Sequence, residues 1–140
     1  MSIFPTKILL ATDGSKEASS ASRTAADLAQ STSSELHILY VGEAANPYAE
    51  EVGLAGDDRR ARTVLDAEAE KVRAVGGTVA QAHLRTGKAD HEIVTLAEEI
   101  ETGLIVIGSR GRGGIRRALM GGVADSVVRH AHCPVLVVRE

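Results

Sequence analysis

Leu104-Ile105-Val106-Ile107-Gly108-Ser109-Arg110-Gly111-Arg112-Gly113-Gly114-Ile115-Arg116-Arg117-Ala118-Leu119-Met120-Gly121-Gly122 joins two opposite kinds of sequence. Its first four residues are a continuous apolar run, which suits a strand buried on both faces, as in a parallel sheet. The fifteen residues from Gly108 to Gly122 hold six glycines and four arginines (Arg110, Arg112, Arg116 and Arg117). A helix is predicted next, from about Gly122 to Ala131. The unit is strand, glycine loop, helix.

Glycines permit positive φ and close backbone approach, so successive N–H groups can converge on an anion. The unpaired amides and positive dipole end of a following helix add to that field. A phosphate-binding loop is one reading. A surface loop carrying solvated arginines is the other. Two familiar phosphate motifs are absent. No lysine follows a glycine pair as a P-loop requires. A dinucleotide fingerprint counted from Gly111 fails because its third glycine falls on Arg116.

Near the N-terminus, Lys7 to Thr12 is a second buried-strand pattern, stopped by Asp13-Gly14-Ser15. Ala18, Ala21, Ala25, Leu28 and Ala29 follow at helical spacing, with Ser15 placed to cap them. Leu36 to Val41 is predicted as a strand and Gly42 to Gly56 as a loop broken by Pro47. Asp57 to Val75 is predicted as an amphipathic helix closed by Gly76-Gly77. Thr78 to Arg85 alternates more with polar residues and is expected as a strand nearer an edge. Asp90 to Glu101 is predicted as a helix ended by Gly103, and Pro134 to Val138 as the last strand. Strands alternating with helices predict one parallel α/β sheet. Right-handed crossovers put helices on both of its faces. Ligands of such sheets bind beyond the carboxyl ends of strands, where the winding reverses. Asp13-Gly14-Ser15 and Gly108-Ser109-Arg110-Gly111 stand at two such ends.

The 140 residues fit one domain, 1–140, and 44% hydrophobic with 25% charged residues is an ordinary globular composition. A formal charge of −3 offers no broad basic surface for nucleic acid, and 2% aromatics offer few stacking platforms. The lone cysteine, Cys133, forbids an intrachain disulfide, which fits a reducing cytoplasm. No apolar run approaches the ~18 residues of a spanning helix, and the N-terminus lacks the pattern of a signal peptide.

Gly108-x-x-Gly111, nine residues, then Gly121, preceded by Ile105-Val106-Ile107 and followed by Cys133 to Val138, resembles the universal stress protein family. The resemblance includes Ile8 to Ser15 and covers essentially the whole chain. It implies an open five-stranded, Rossmann-like sheet of the adenine nucleotide alpha-hydrolase kind, with helices on both faces. It also implies binding of ATP, possible Mg near Asp13 and the phosphates, and a regulatory role in stress response. The implied nucleotide contacts are Ala11, Thr12, Asp13, Val41, Gly108, Arg110, Gly111, Arg112, Gly121, Gly122 and Val123. Within that set, Val41 offers backbone bonds to adenine, with Ala11 and Thr12 lining the base pocket. The implied assembly is a homodimer through Pro134 to Val138. The chain departs from the family at Gly122, where a serine or threonine hydroxyl normally donates to phosphate.

Other residues have plainer readings. His130, His132 and Cys133 look like a small metal cluster, yet a histidine at a helix C-terminus is favoured as a cation there and a free cysteine behaves as a small hydrophobe. His37 and His83 fall in strands and His91 near a helix start, none beside a nucleophile. The acidic runs are solvated faces. Two alternatives to a nucleotide-responsive regulator stay open: a slow ATPase of the same superfamily, and an interaction module that binds no nucleotide. No general base, nucleophile or P-loop lysine supports the enzyme.

Overall fold

Ile8, Leu9 and Leu10 are consecutive, all fully buried and in one strand, so that strand is covered on both faces. The computed structural model describes residues 2–14, 19–42, 56–109 and 122–139. Among them, the chain runs β1 (Lys7–Thr12), α1 (Ser19–Thr32), β2 (Glu35–Gly42), α2 (Gly56–Ala74), β3 (Gln81–Thr86), α3 (Ala89–Glu99), β4 (Leu104–Gly108), α4 (Gly122–His130) and β5 (Val135–Val138). All strand pairs are parallel, in the order β3-β2-β1-β4-β5. The expected α/β class, five strands and edge position of β3 are those observed. Ser15, the expected cap of α1, and the stretch around Pro47 lie outside the described residues.

Side chains alternate across the sheet and feed two cores. Ile8, Leu10, Leu36, Ile38 and Val106 pack with Ala25 of α1 and Leu65 and Val72 of α2. Leu9, Leu39, Ile105 and Ile107 pack with Ile93 and Leu96 of α3 and Ala124 and Val127 of α4. Fully burying one such aliphatic side chain contributes about 1.5–3 kcal/mol, so both faces are strongly held. Between α1 and α2 lies Glu68, 1% exposed, accepting from Ser22 Oγ at 3.1 Å and Lys71 Nζ at 3.0 Å.

Helix ends show where local reading succeeds. α2 closes as expected, with Gly76 at φ +88, Gly77 N–H donating to the Val72 carbonyl and Gly76 N–H to that of Arg73. α3 corrects the expectation for Gly103. Its left-handed residue is Glu101 (φ 58), and Thr102 N–H donates to the Ala97 carbonyl at 2.8 Å. Gly103 is glycine because a Cβ there would run into Thr6. β3 begins at Gln81 rather than Thr78, because register pairing with β2 starts at His37↔Gln81.

Candidate functional site

The winding reverses between β1 and β4: the chain moves from β1 outward to β2 and β3, then returns to β4 on the other side. The crevice of an open parallel sheet lies at that point, beyond the carboxyl ends of the strands. Register brings the sequence-predicted residues to it. Ala11 pairs with Ile107, so Gly108 stands one step along, level with Thr12. Thr12 pairs with Tyr40, so Val41 stands level with Asp13.

Backbone direction follows from three bonds. Glu35 N–H donates to Thr6 on the β1 side, whereas the carbonyls of Leu36 and Gly42 accept from Ala80 and Gly87 on the β3 side. Successive residues of a strand turn their peptide groups to opposite sides, so odd-numbered Val41 turns its own toward β1, one step past the last register pair. Ile105 and Ser109 donate to Pro134 and Val138 of the β5 side at 3.0 and 2.9 Å. Gly108, even-numbered where these two are odd, faces β1. Val41 and Gly108 therefore flank the end of β1 with inward-facing backbone.

The floor is tight. Ala11 and Thr12 are each 7% exposed, and the Thr12 hydroxyl accepts the Gly14 amide at 3.1 Å, turning the chain through Gly14 at φ +77. Asp13 stands half-buried at the rim and engages a partner of its own. Gly122 and Val123 open α4, exposed, while Ala124 and Val127 anchor that helix in the core that holds Ala11 and Ile107. A Cβ on Gly122 would meet no described atom within 4 Å. Asp125, in the first turn, pairs with Arg129 at 3.1 Å. Arg110, Gly111, Arg112 and Gly121 lie outside the described residues.

The remaining candidates take separate partners. His130 Nδ1 donates to the Ser126 carbonyl at 2.8 Å, His132 Nε2 meets Glu98 at 2.8 Å, and burial pushes the half-buried Cys133 thiol up. Among the described residues no three metal-ligating side chains gather, and no helix is long and apolar enough to cross a membrane. Three contacts escaped the sequence reading: His37–His83, Arg85–Glu99 and Ser126–Asp90. Each joins two elements and depends on tertiary register, which no local pattern encodes.

Residues 5–139 match the universal stress protein family. A universal stress protein of Methanocaldococcus jannaschii is 34% identical over 96% of this chain and 82% of its own length. Among solved structures, a universal stress protein of Lactobacillus plantarum is 27% identical with a TM-score of 0.83, covering 99% of this chain and all of its own. A universal stress protein of Archaeoglobus fulgidus, described in complex with dAMP, shares the fold at 23% identity and a TM-score of 0.76, over 96% of this chain and 98% of its own. The match runs over nearly the whole length, and the chain belongs to the universal stress protein family.

Proposed function

We propose that this chain binds an adenine nucleotide, ATP with Mg foremost, in the crevice above β1, and acts as a regulator rather than an enzyme. One observation carries the reading: Thr12, Asp13, Val41 and Gly108 come from three adjacent strands to one point where the winding reverses. The inward-facing backbone of Val41 can read a base edge, with Ala11 and Thr12 as the floor. Glycines at 108, 111 and 121 carry no side chain to compete with ribose and phosphates, and the amides at Gly122 and Val123 offer the positive end of α4. Arg110 and Arg112 add charge for the phosphates, and Asp13 suits a ribose hydroxyl or a metal ion on the phosphates. The dAMP complex of the Archaeoglobus relative supports an adenine ligand for this fold.

The single domain, residues 1–140, pairs with a second copy through Pro134 to Val138. Among the described residues β5 is an edge strand, all of it half-buried, and its apolar edge is open to pairing. The reading places the dimer in the cytoplasm, without nucleic acid or membrane as partners. Calorimetric titration with ATP, with and without Mg, tests the binding. Saturable binding with no ADP formed in a single turnover supports the regulator. Turnover favours the ATPase, and no binding favours the interaction module.

A further inference from the structure

His37 of β2 and His83 of β3 meet on the α3 face of the sheet, away from the crevice. His37 Nδ1 lies 3.0 Å from His83 Nε2, with ring centroids 5.3 Å apart and ring planes 24° from parallel. The centroids are farther apart than the nitrogens by about two ring radii. The rings therefore meet edge to edge, nitrogen to nitrogen, rather than face to face. That is the geometry of an N–H···N hydrogen bond, which needs one nitrogen carrying hydrogen and one bare.

The surroundings constrain how protons are added. His37 is 5% exposed, and its Nε2 is buried without a hydrogen bond, 3.5 Å from the Glu35 carboxylate. β3 contributes Arg85, which α3 engages through Glu92 at 3.9 Å and Glu99 at 2.5 Å. β1 contributes Lys7, in register with Glu35. Burial, then His37 and Arg85, hold the His83 imidazole below the usual histidine range, against an opposing pull from Glu99.

Proton counting gives the consequence. With both rings neutral, one hydrogen sits between the two nitrogens. One further proton can occupy an outer nitrogen, such as His37 Nε2 facing Glu35, and the contact survives. A second forces hydrogen onto both meeting nitrogens, and the bond becomes repulsion between two cations beside Arg85.

We propose that the His37–His83 pair is an acid-operated latch: it ties β3 to β2 while it holds at most one added proton, and releases β3 when both rings are charged. β3 is the edge strand with β2 as its neighbour, so it can open without breaking the rest of the sheet.

Hydrogen exchange on the full chain tests this, with protection corrected for the intrinsic pH dependence of exchange. From about pH 7.5 to about pH 5, β3 amides lose roughly tenfold protection or more while those of β1 and β4 hold. In His83→Gln, the side-chain amide still pairs with His37 but does not titrate, so β3 protection stays flat across that interval. An unchanged wild-type β3, or an equal acid loss in His83→Gln, overturns the latch. NMR titration of the two imidazoles in the wild type needs no variant. Two separated steps, the second coinciding with β3 opening, support the latch, and two independent titrations at one pH contradict it.

Discussion

The Thr12 hydroxyl accepts the amide of Gly14 at 3.1 Å, and this short turn ends β1 and sets the rim on which Asp13 stands. Gly14 is at φ +77, and a Cβ there would press on Val64 Cγ1 of α2. Gly14→Ala therefore meets both left-handed strain and overpacking, and is expected to cost about 1–3 kcal/mol in urea unfolding. An unchanged midpoint would contradict this turn.

Glu101 caps α3 in the left-handed region at φ 58, a conformation that costs a non-glycine residue about 1–2 kcal/mol. Glycine relieves that strain but loses more freedom on folding, by about 0.5–1 kcal/mol. Glu101→Gly should stabilise the fold by up to about 1 kcal/mol. The check is a rise in the urea midpoint at unchanged slope.

Ser126 Oγ donates to Asp90 Oδ2 at 2.6 Å, joining α4 to α3, and this bond first of all holds the Asp90 carboxyl below its usual range. A group depressed in the fold stabilises above its unfolded pKa, about 3.9 for aspartate, and loses that contribution as pH falls through the folded value. Ser126→Ala is expected to cost about 1 kcal/mol at neutral pH. The gap from wild type should narrow as pH drops below about 4. Thermal melts at the two pH values measure it. A gap that widens in acid would reverse the assignment.

A Cβ on Gly122 meets no described atom within 4 Å, and the residue lies within the first turn of α4. Gly122→Ser thus restores a hydroxyl at the start of α4 without backbone strain. A hydrogen bond to a charged acceptor contributes ~1.5–3 kcal/mol, and water should hold this one near the lower end. ATP binding should tighten several-fold to about tenfold while adenosine binding barely changes. Equal shifts for both ligands would move the phosphates away from this helix.

Strands and helices were legible because buried strands read as apolar runs and amphipathic helices as a 3.6-residue period. Asp13 and Gly108 could be set at strand ends from the sequence, whereas the reversal of winding between β1 and β4 emerges only from the strand order of the assembled sheet. Gly103 misled because glycine after a helix marks either a left-handed cap or a close approach, and only the neighbour, Thr6, decides between them. The His37–His83 contact was illegible for a related reason. The two residues are 46 positions apart, and the β2–β3 register that joins them is a property of the assembled sheet. Val41 was found through family resemblance; its inward-facing backbone emerges only from the bonds of its neighbours.

Titration of the isotope-labelled full chain with ATP and Mg, followed by amide NMR, locates the nucleotide on the sheet. Saturable shifts are expected to concentrate at Thr12, Asp13, Val41, Gly108, Gly122 and Val123, with Ser33, Ser34 and Thr78 at the opposite end of the sheet unmoved. Shifts centred on that opposite end, or none at saturating nucleotide, would contradict the proposed site.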